Sequence, residues 1–191
     1  MAAVSVIGTG NMGKAIAALA VKGGHSVQVL ARADSDTPVS GDIVVLALPF
    51  AALDSVVAER GTSFAGRIVV DITNPVNFET FDSLTVPADS SATAYLAAAL
   101  PNSHVLKAFN TNFAGTLVEG KIGEAVTTVL IAGNDSDAKS SLADVVGSAG
   151  LAAVDAGSLG RARELESVGF LQMTLAAGEK ISWTGGFALT S

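Results

Sequence analysis

Cysteine is absent from this chain of 191 residues. Disulfides, thiolate nucleophiles and thiolate metal sites are thereby excluded. Only two histidines occur, His25 and His104, too few to suggest a metal centre. Aromatics make up 5% of the residues, so the core must be built from Val, Ile, Leu and Ala. Cations are scarce: 11 Lys and Arg face 18 Asp and Glu, for a net charge of −7. Such a balance excludes nucleic acid and anionic membranes as natural partners, although a small positive site for an anionic cofactor is compatible with it. No apolar run reaches the roughly 18 residues of a membrane span. Met1 to Ile7 lacks the basic start and long apolar centre of a signal peptide. A reducing, cytoplasmic setting is expected.

What is present is an apolar chain, 49% hydrophobic with 20 glycines, in which short apolar runs alternate with helical patterns. Ala3–Ile7 reads as a buried strand, Asn11–Lys22 as a helix ended by Gly23-Gly24, and His25–Leu30 as a second strand. Ile43–Leu48 is a third strand, followed by a helix near Ala51–Arg60 and a fourth strand at Arg67–Ile72. Val76–Pro87 is irregular. Ser90 or Ser91 caps a helix reaching about Leu100, and His104–Ala108 is a fifth strand. Thr127–Ala132, a helix over Ser136–Val146, a strand at Leu151–Val154 and a last helix over Arg161–Ala177 complete the pattern. Alternation of this kind predicts a Rossmann-type, doubly wound, mostly parallel sheet with helices on both faces. Only Arg32–Gly41 separates the second and third strands. Ten residues leave little room for the helix and strand that a complete mononucleotide-binding half carries there. These elements are expected to be missing. No linker divides the chain, so residues 1–191 read as one domain. Its C-terminal helix and tail, about 158–191, would complete a cleft or form a homodimer interface.

Gly8-Thr9-Gly10-Asn11-Met12-Gly13 is a G-x-G-x-x-G placed between a predicted strand and a predicted helix, the context that pattern requires. Gly8 allows the turn, Gly10 admits a pyrophosphate to the backbone, and Gly13 lets helix and strand pack closely. The helix N-terminus, with its free N–H groups and dipole, then holds phosphate. At the end of the second strand an NAD site carries Asp or Glu. Here Ala31-Arg32 stands instead, and a guanidinium suits a 2′-phosphate. That favours NADP(H), with Asp34 and Asp36 nearby as competing ribose acceptors. Leu48-Pro49 and Thr73-Asn74-Pro75 end the third and fourth strands, on the edge where ligands bind in open α/β sheets. Leu48 and Pro49 are expected against ribose and nicotinamide, and Asn74 on ribose or carboxamide. Ordinary turn chemistry would also explain Pro and Asn there. Lys107-Ala108-Phe109-Asn110-Thr111 ends the fifth strand on the same side, with Phe109 against a flat ring and Asn110 orienting a substrate. The direction of Lys107 is open. Arg161, Arg163, Glu164 and Glu166 read as an exposed, paired face of the last helix. No nucleophile and no acid–base pair stands out.

The segments V-x-V-I-G-T-G-N-M-G, D-I-V-V-L-A-L-P, V-V-D-I-T-N-P, L-K-A-F-N-T and R-A-R-E-L-E-S-V-G-F-L-Q-M-T-L resemble the NADPH-dependent coenzyme F420 oxidoreductase family. The K-A-F-N-T segment is also similar to the NADPH-binding domain of metalloreductases. The resemblance implies an NADPH site on Gly8 to Gly13, with 2′-phosphate contacts at Ala31 and Arg32. Ala31 stands where the family commonly has Ser. It implies hydride transfer between NADPH and a flat redox cofactor, coenzyme F420 or a flavin. A reductase of a small carbonyl or imine compound, using Lys107 or Asn110, is one alternative. A non-catalytic NADP(H) sensor is another.

Overall fold

The computed structural model describes residues 1–190. Strand β1 (Ala3–Ile7) leads through the glycine turn into α1 (Asn11–Lys22) and β2 (Ser26–Leu30). Then follow β3 (Ile43–Leu46), α2 (Leu53–Arg60), β4 (Ile68–Asp71), α3 (Ala92–Ala99) and β5 (His104–Lys107). Next come α4 (Ala114–Glu119), a small hairpin of β6 (Lys121–Ile122) and β7 (Ala125–Val126), β8 (Thr128–Gly133), α5 (Ser136–Ser148), β9 (Ala152–Gly157) and α6 (Ala162–Ala177). The main sheet has the order β2-β1-β3-β4-β5-β8-β9.

The sheet is apolar on both faces because its central strands alternate direction with every residue. In β3, Ile43 and Val45 enter one core and Val44 and Leu46 the other; Val70 and Val69 of β4 divide likewise. The first core includes Ile16, Leu19 and Ala20 of α1 and Leu142 and Val145 of α5. The second includes Leu53 of α2 and Leu96 of α3. Helices therefore cover both faces. Ser91 caps α3 by accepting from the Ala94 N–H, and Asp135 caps α5 from the N–H groups of Asp137 and Ala138.

The helix and strand expected to be missing after β2 are missing. Residues 32–41 hold only a 3₁₀ turn, Arg32–Asp34, and the chain crosses to β3 on the far side of β1. Polar side chains hold the crossover down. Arg60 donates to the carbonyls of Asp34 and Thr37, and Arg67 to those of Val39 and Gly41. Gln28 donates to Pro38 O at 2.9 Å and accepts the Ser40 N–H at 3.0 Å.

One pairing departs from the parallel pattern. β8 joins β5 antiparallel, through only Leu106↔Gly133 and Lys107↔Ala132. Helix α4 and the hairpin, neither evident in the sequence pattern, carry the chain round the edge where β5 ends. β8 therefore enters from that edge. Among the described residues no helix is long and apolar enough to cross a membrane.

Gly8 fixes the entry into α1. Its φ is +125°, and a Cβ there would lie 2.1 Å from the Ala47 carbonyl oxygen at the end of β3. Gly8→Ala is expected to cost on the order of 3 kcal/mol, combining backbone strain with a clash that only strand movement relieves. Urea denaturation of the variant and the parent checks this.

Candidate functional site: a cleft at the strand ends

The carboxyl ends of β1, β3, β4 and β5 open into a cleft of about 670 Å³. Its walls come from the start of α1 (Gly10, Asn11, Met12), the turn after β3 (Leu48, Pro49, Phe50), and the turn after β4 (Thr73, Asn74). The segment after β5, residues 109–115, and the pair Trp183 and Thr184 of the tail close it.

The α1 end could hold an anion. Gly10 occupies the N-cap position with no side-chain cap, and the first turn holds no acidic residue. A Cβ on Gly10 would meet nothing within 4 Å, so the protein's own packing does not demand glycine there. The unfilled space lies over N–H groups at the positive end of a helix dipole. Gly13, by contrast, packs against Gly8, and a Cβ there would lie 2.1 Å from the Gly8 carbonyl oxygen. Gly8 and Gly13 thus shape the turn, while Gly10 leaves room above it.

β2 lies beside β1, and the Gly8 N–H donates to Leu30 O at 2.9 Å. Ala31 and Arg32 therefore stand next to the turn, outside the cleft lining. Arg32 is exposed. Asp34, weighed above as a ribose acceptor, turns back to accept the Ala31 N–H at 2.8 Å.

Beyond the ends of β4 and β5 Asn74 and Asn110 hold each other. Asn110 Nδ2 donates to Asn74 Oδ1 at 2.9 Å, and Asn74 Nδ2 donates to Asn110 O at 2.9 Å. Asn110 Nδ2 also donates to Leu165 O at 2.8 Å. Gly169 of α6 makes this possible: a Cβ would lie 2.6 Å from Asn74 Oδ1. Three buried polar atoms have no partner among the described residues: Thr73 Oγ1, Asn110 Oδ1 and Asn112 Oδ1. All three belong to residues lining the cleft.

This geometry frames the comparison with known proteins. The family "NADP oxidoreductase coenzyme F420-dependent" matches residues 26–75. The F420-dependent NADP reductase of Methanocaldococcus jannaschii is 28% identical, over 85% of this chain and 74% of that protein. Metalloreductase STEAP3 of Rattus norvegicus is 29% identical, over 86% of this chain. The chain spans only 36% of the metalloreductase's length. This chain is similar to the F420-dependent NADP oxidoreductases. The crystal structure of a candidate F420-dependent NADP-reductase from Arthrobacter sp. FB24 has the same fold, with a TM-score of 0.84 at 24% identity over 98% of this chain and 99% of that one.

Of the residues singled out in the sequence, several line one cleft and others do not. Gly10, Asn11, Met12, Leu48, Pro49, Asn74, Phe109 and Asn110 line the cleft. Thr9 is exposed in the glycine turn, and Pro75 is buried, away from the lining. Phe109 is 1% exposed, packed into the first core with φ +62°. It forms cleft floor and offers no open ring face. Bulky residues adopt that conformation only where their surroundings impose it.

The reading of α6 as a solvated charged face needs correcting. Arg161 and Glu164 do pair at the surface, at 3.1 Å. Glu166 is fully buried. Its Oε1 lies 2.9 Å from Lys107 Nζ, and its Oε2 accepts the Ala92 N–H at the start of α3. Lys107 Nζ also donates to Asp71 Oδ2 at 2.8 Å and Thr73 O at 2.6 Å. The Thr93 hydroxyl donates to Asp71 Oδ2 at 2.7 Å. Lys107 thus points into the protein, and an acid–base cluster exists where none was legible. Only the apolar strand around Lys107 hinted at its burial.

Burial pushes the Glu166 carboxyl above its ordinary value, and the nearby Lys107 ammonium only partly offsets this. Ionising Glu166 is therefore harder in the folded chain than in the unfolded one. Its contribution to stability is full below 4.5, the ordinary value, and is lost as pH rises through the raised pKa. In Glu166→Gln that pH-dependent loss is absent. The stability difference between parent and variant should shift against the parent as pH increases across this window, and thermal melts at a series of pH values check it.

Proposed function

We propose that this chain is an NADP(H)-binding oxidoreductase that brings a reduced nicotinamide against a flat redox acceptor, a deazaflavin or a flavin. The observation that carries the reading is the uncapped start of α1. It combines open space over Gly10 with free backbone N–H groups, it sits at one end of a large cleft, and Arg32 stands beside it. The Methanocaldococcus and Arthrobacter proteins are named for NADP, which supports the same reading.

In this reading the N–H groups of α1 and the Gly8–Gly13 turn hold the pyrophosphate. Arg32 pairs with the 2′-phosphate, and the engagement of Asp34 by the Ala31 N–H keeps a competing carboxylate off the ribose. Leu48 and Pro49 pack on the nicotinamide half, and Asn74 with Asn110 sets its depth. A bound NADPH supplies a hydride, the acceptor takes one proton from solvent, and the dinucleotide is left oxidised by two electrons. The protein's own task is placement: donor and acceptor carbons within roughly 3–3.5 Å, with water kept out. The last helix and tail belong to the same domain and complete the cleft. A chain without cysteine is at home in a reducing cytoplasm.

Calorimetry with NADPH and NADH tests this. NADPH should bind more tightly, and Arg32→Ala should remove about 1.5 kcal/mol or more of that preference, the value of a charge-assisted hydrogen bond. Gly10→Ala should weaken both dinucleotides while costing less than about 1 kcal/mol of folding stability. An Arg32→Ala variant with unchanged preference would overturn the 2′-phosphate assignment, and no heat with either dinucleotide would overturn the function.

A further inference from the structure

The cleft changes character along its length. At the α1 end it offers backbone N–H groups and a helix dipole. Towards the tail the lining comes from the start of the short helix α4, the residues before it and the tail itself, and no Asp, Glu, Lys, Arg or His lines the cleft anywhere. Five of the 11 cations are committed elsewhere, and none of the others, Lys180 near Trp183 included, belongs to the lining. Lys107 is buried between Asp71 and Glu166, and Lys139 pairs with Asp155. Arg60 and Arg67 face crossover carbonyls, and Arg161 pairs with Glu164. The net charge of −7 adds a repulsive background.

Aromatic surface gathers at this end instead. The chain has eight Phe, one Tyr and one Trp; Phe78, Phe113 and Trp183 line the cleft, Phe50 lines it in the turn after β3, and buried Phe109 forms only its floor. Phe78 and Trp183 are 67% and 53% exposed. Exposed aromatic surface concentrated on a cleft rim marks a place where something apolar sits. Trp183 is held in place. Its ring centroid lies 4.8 Å from that of Phe113, at 56°. The tail beyond it is anchored where the Phe187 N–H donates to Gln172 Oε1 at 3.0 Å, and Gln172 Nε2 donates to Thr111 O at 3.1 Å.

We propose that the tail end of the cleft selects an uncharged planar hydride acceptor, a ring of the riboflavin or quinone class, with Trp183 as its stacking wall. Acceptors with anionic tails, including FMN and coenzyme F420, are disfavoured. This rests on the dinucleotide reading above; for the acceptor it keeps the flavin, sets the deazaflavin aside and adds the quinones. Electrons balance as in any such reduction: the ring gains a hydride from the dinucleotide and a proton from solvent.

Riboflavin and FMN carry the same ring and differ by one phosphate, so they isolate the charge of the tail. Trp183 is the sole tryptophan, and its fluorescence reports a ring stacked on it. In protein saturated with NADP⁺, riboflavin should quench Trp183 with an affinity about tenfold or more above that of FMN. NADPH oxidation should show kcat/KM in the same order, with menadione also accepted and F420 poor. Trp183→Ala should raise the riboflavin Kd by about tenfold, read from flavin fluorescence, with the heat of NADPH binding preserved. Equal or tighter binding of FMN or F420 overturns the proposal while leaving the dinucleotide reading intact. Loss of NADPH binding in the parent protein is a separate result and would sink that earlier reading. A blue shift of Trp183 emission with protein concentration alone would assign the aromatic rim to a second copy of the chain, and would also overturn the proposal.

Discussion

The ammonium group of Lys107 has three acceptors, and each comes from a different part of the fold: Asp71 at the end of β4, Thr73 O in the turn after it, and Glu166 on α6. Through Glu166 and Thr93 the same cluster reaches the first turn of α3. Placing three ionisable groups in an apolar interior is costly. Once placed, none can be withdrawn alone without a penalty of about 3–5 kcal/mol, because the remaining charges lose their compensation. Such a cluster fixes geometry more than it adds stability. Its contact with Thr73 O is the one that matters for the cleft. That bond sets the turn carrying Asn74, and Asn74 in turn meets Asn110 against the bare backbone of Gly169. A side of the cleft that touches no charge is thus held in place by charges behind it.

The other half of the cleft depends on an economy of chain. A direct crossover from β2 to β3 exposes carbonyl groups that a helix would have satisfied internally, and unpaired backbone groups are costly when buried. Arg60, Arg67 and Gln28 supply the donors. The short route keeps Arg32 at the surface beside the glycine turn. Two of the chain's few cations are spent on holding the route, which leaves fewer for ligand contacts elsewhere.

Local pattern made much of this readable. Strands apolar on both faces, the glycine turn between strand and helix, and the ten-residue gap are short-range features, and each reports its own geometry. Features made by distant residues were not readable in the same way. Glu166 sits between polar neighbours in a sequence that looks solvated, and nothing near it signals a lysine 59 positions earlier. The antiparallel entry of β8 follows from α4 and a two-residue hairpin, too short to show a period. Phe109 carries an aromatic ring at the end of a strand, where a ligand contact is a natural inference. Its φ of +62° sends the ring into the core instead, and sequence does not report a backbone reversal in a residue that rarely makes one.

The unsatisfied atoms tie the two halves together. Thr73 Oγ1, Asn110 Oδ1 and Asn112 Oδ1 are buried without partners among the described residues, and each such atom costs about 1–3 kcal/mol. Random packing faults would be scattered through the fold. These three fall on residues of one cleft, next to amides whose N–H groups are already committed to Asn74, Leu165 and Thr128. The committed donors fix each amide so that its oxygen is the group left over. These atoms lie behind the wall and not on it, so they burden the packing around the cleft, while the wall itself carries no charged side chain.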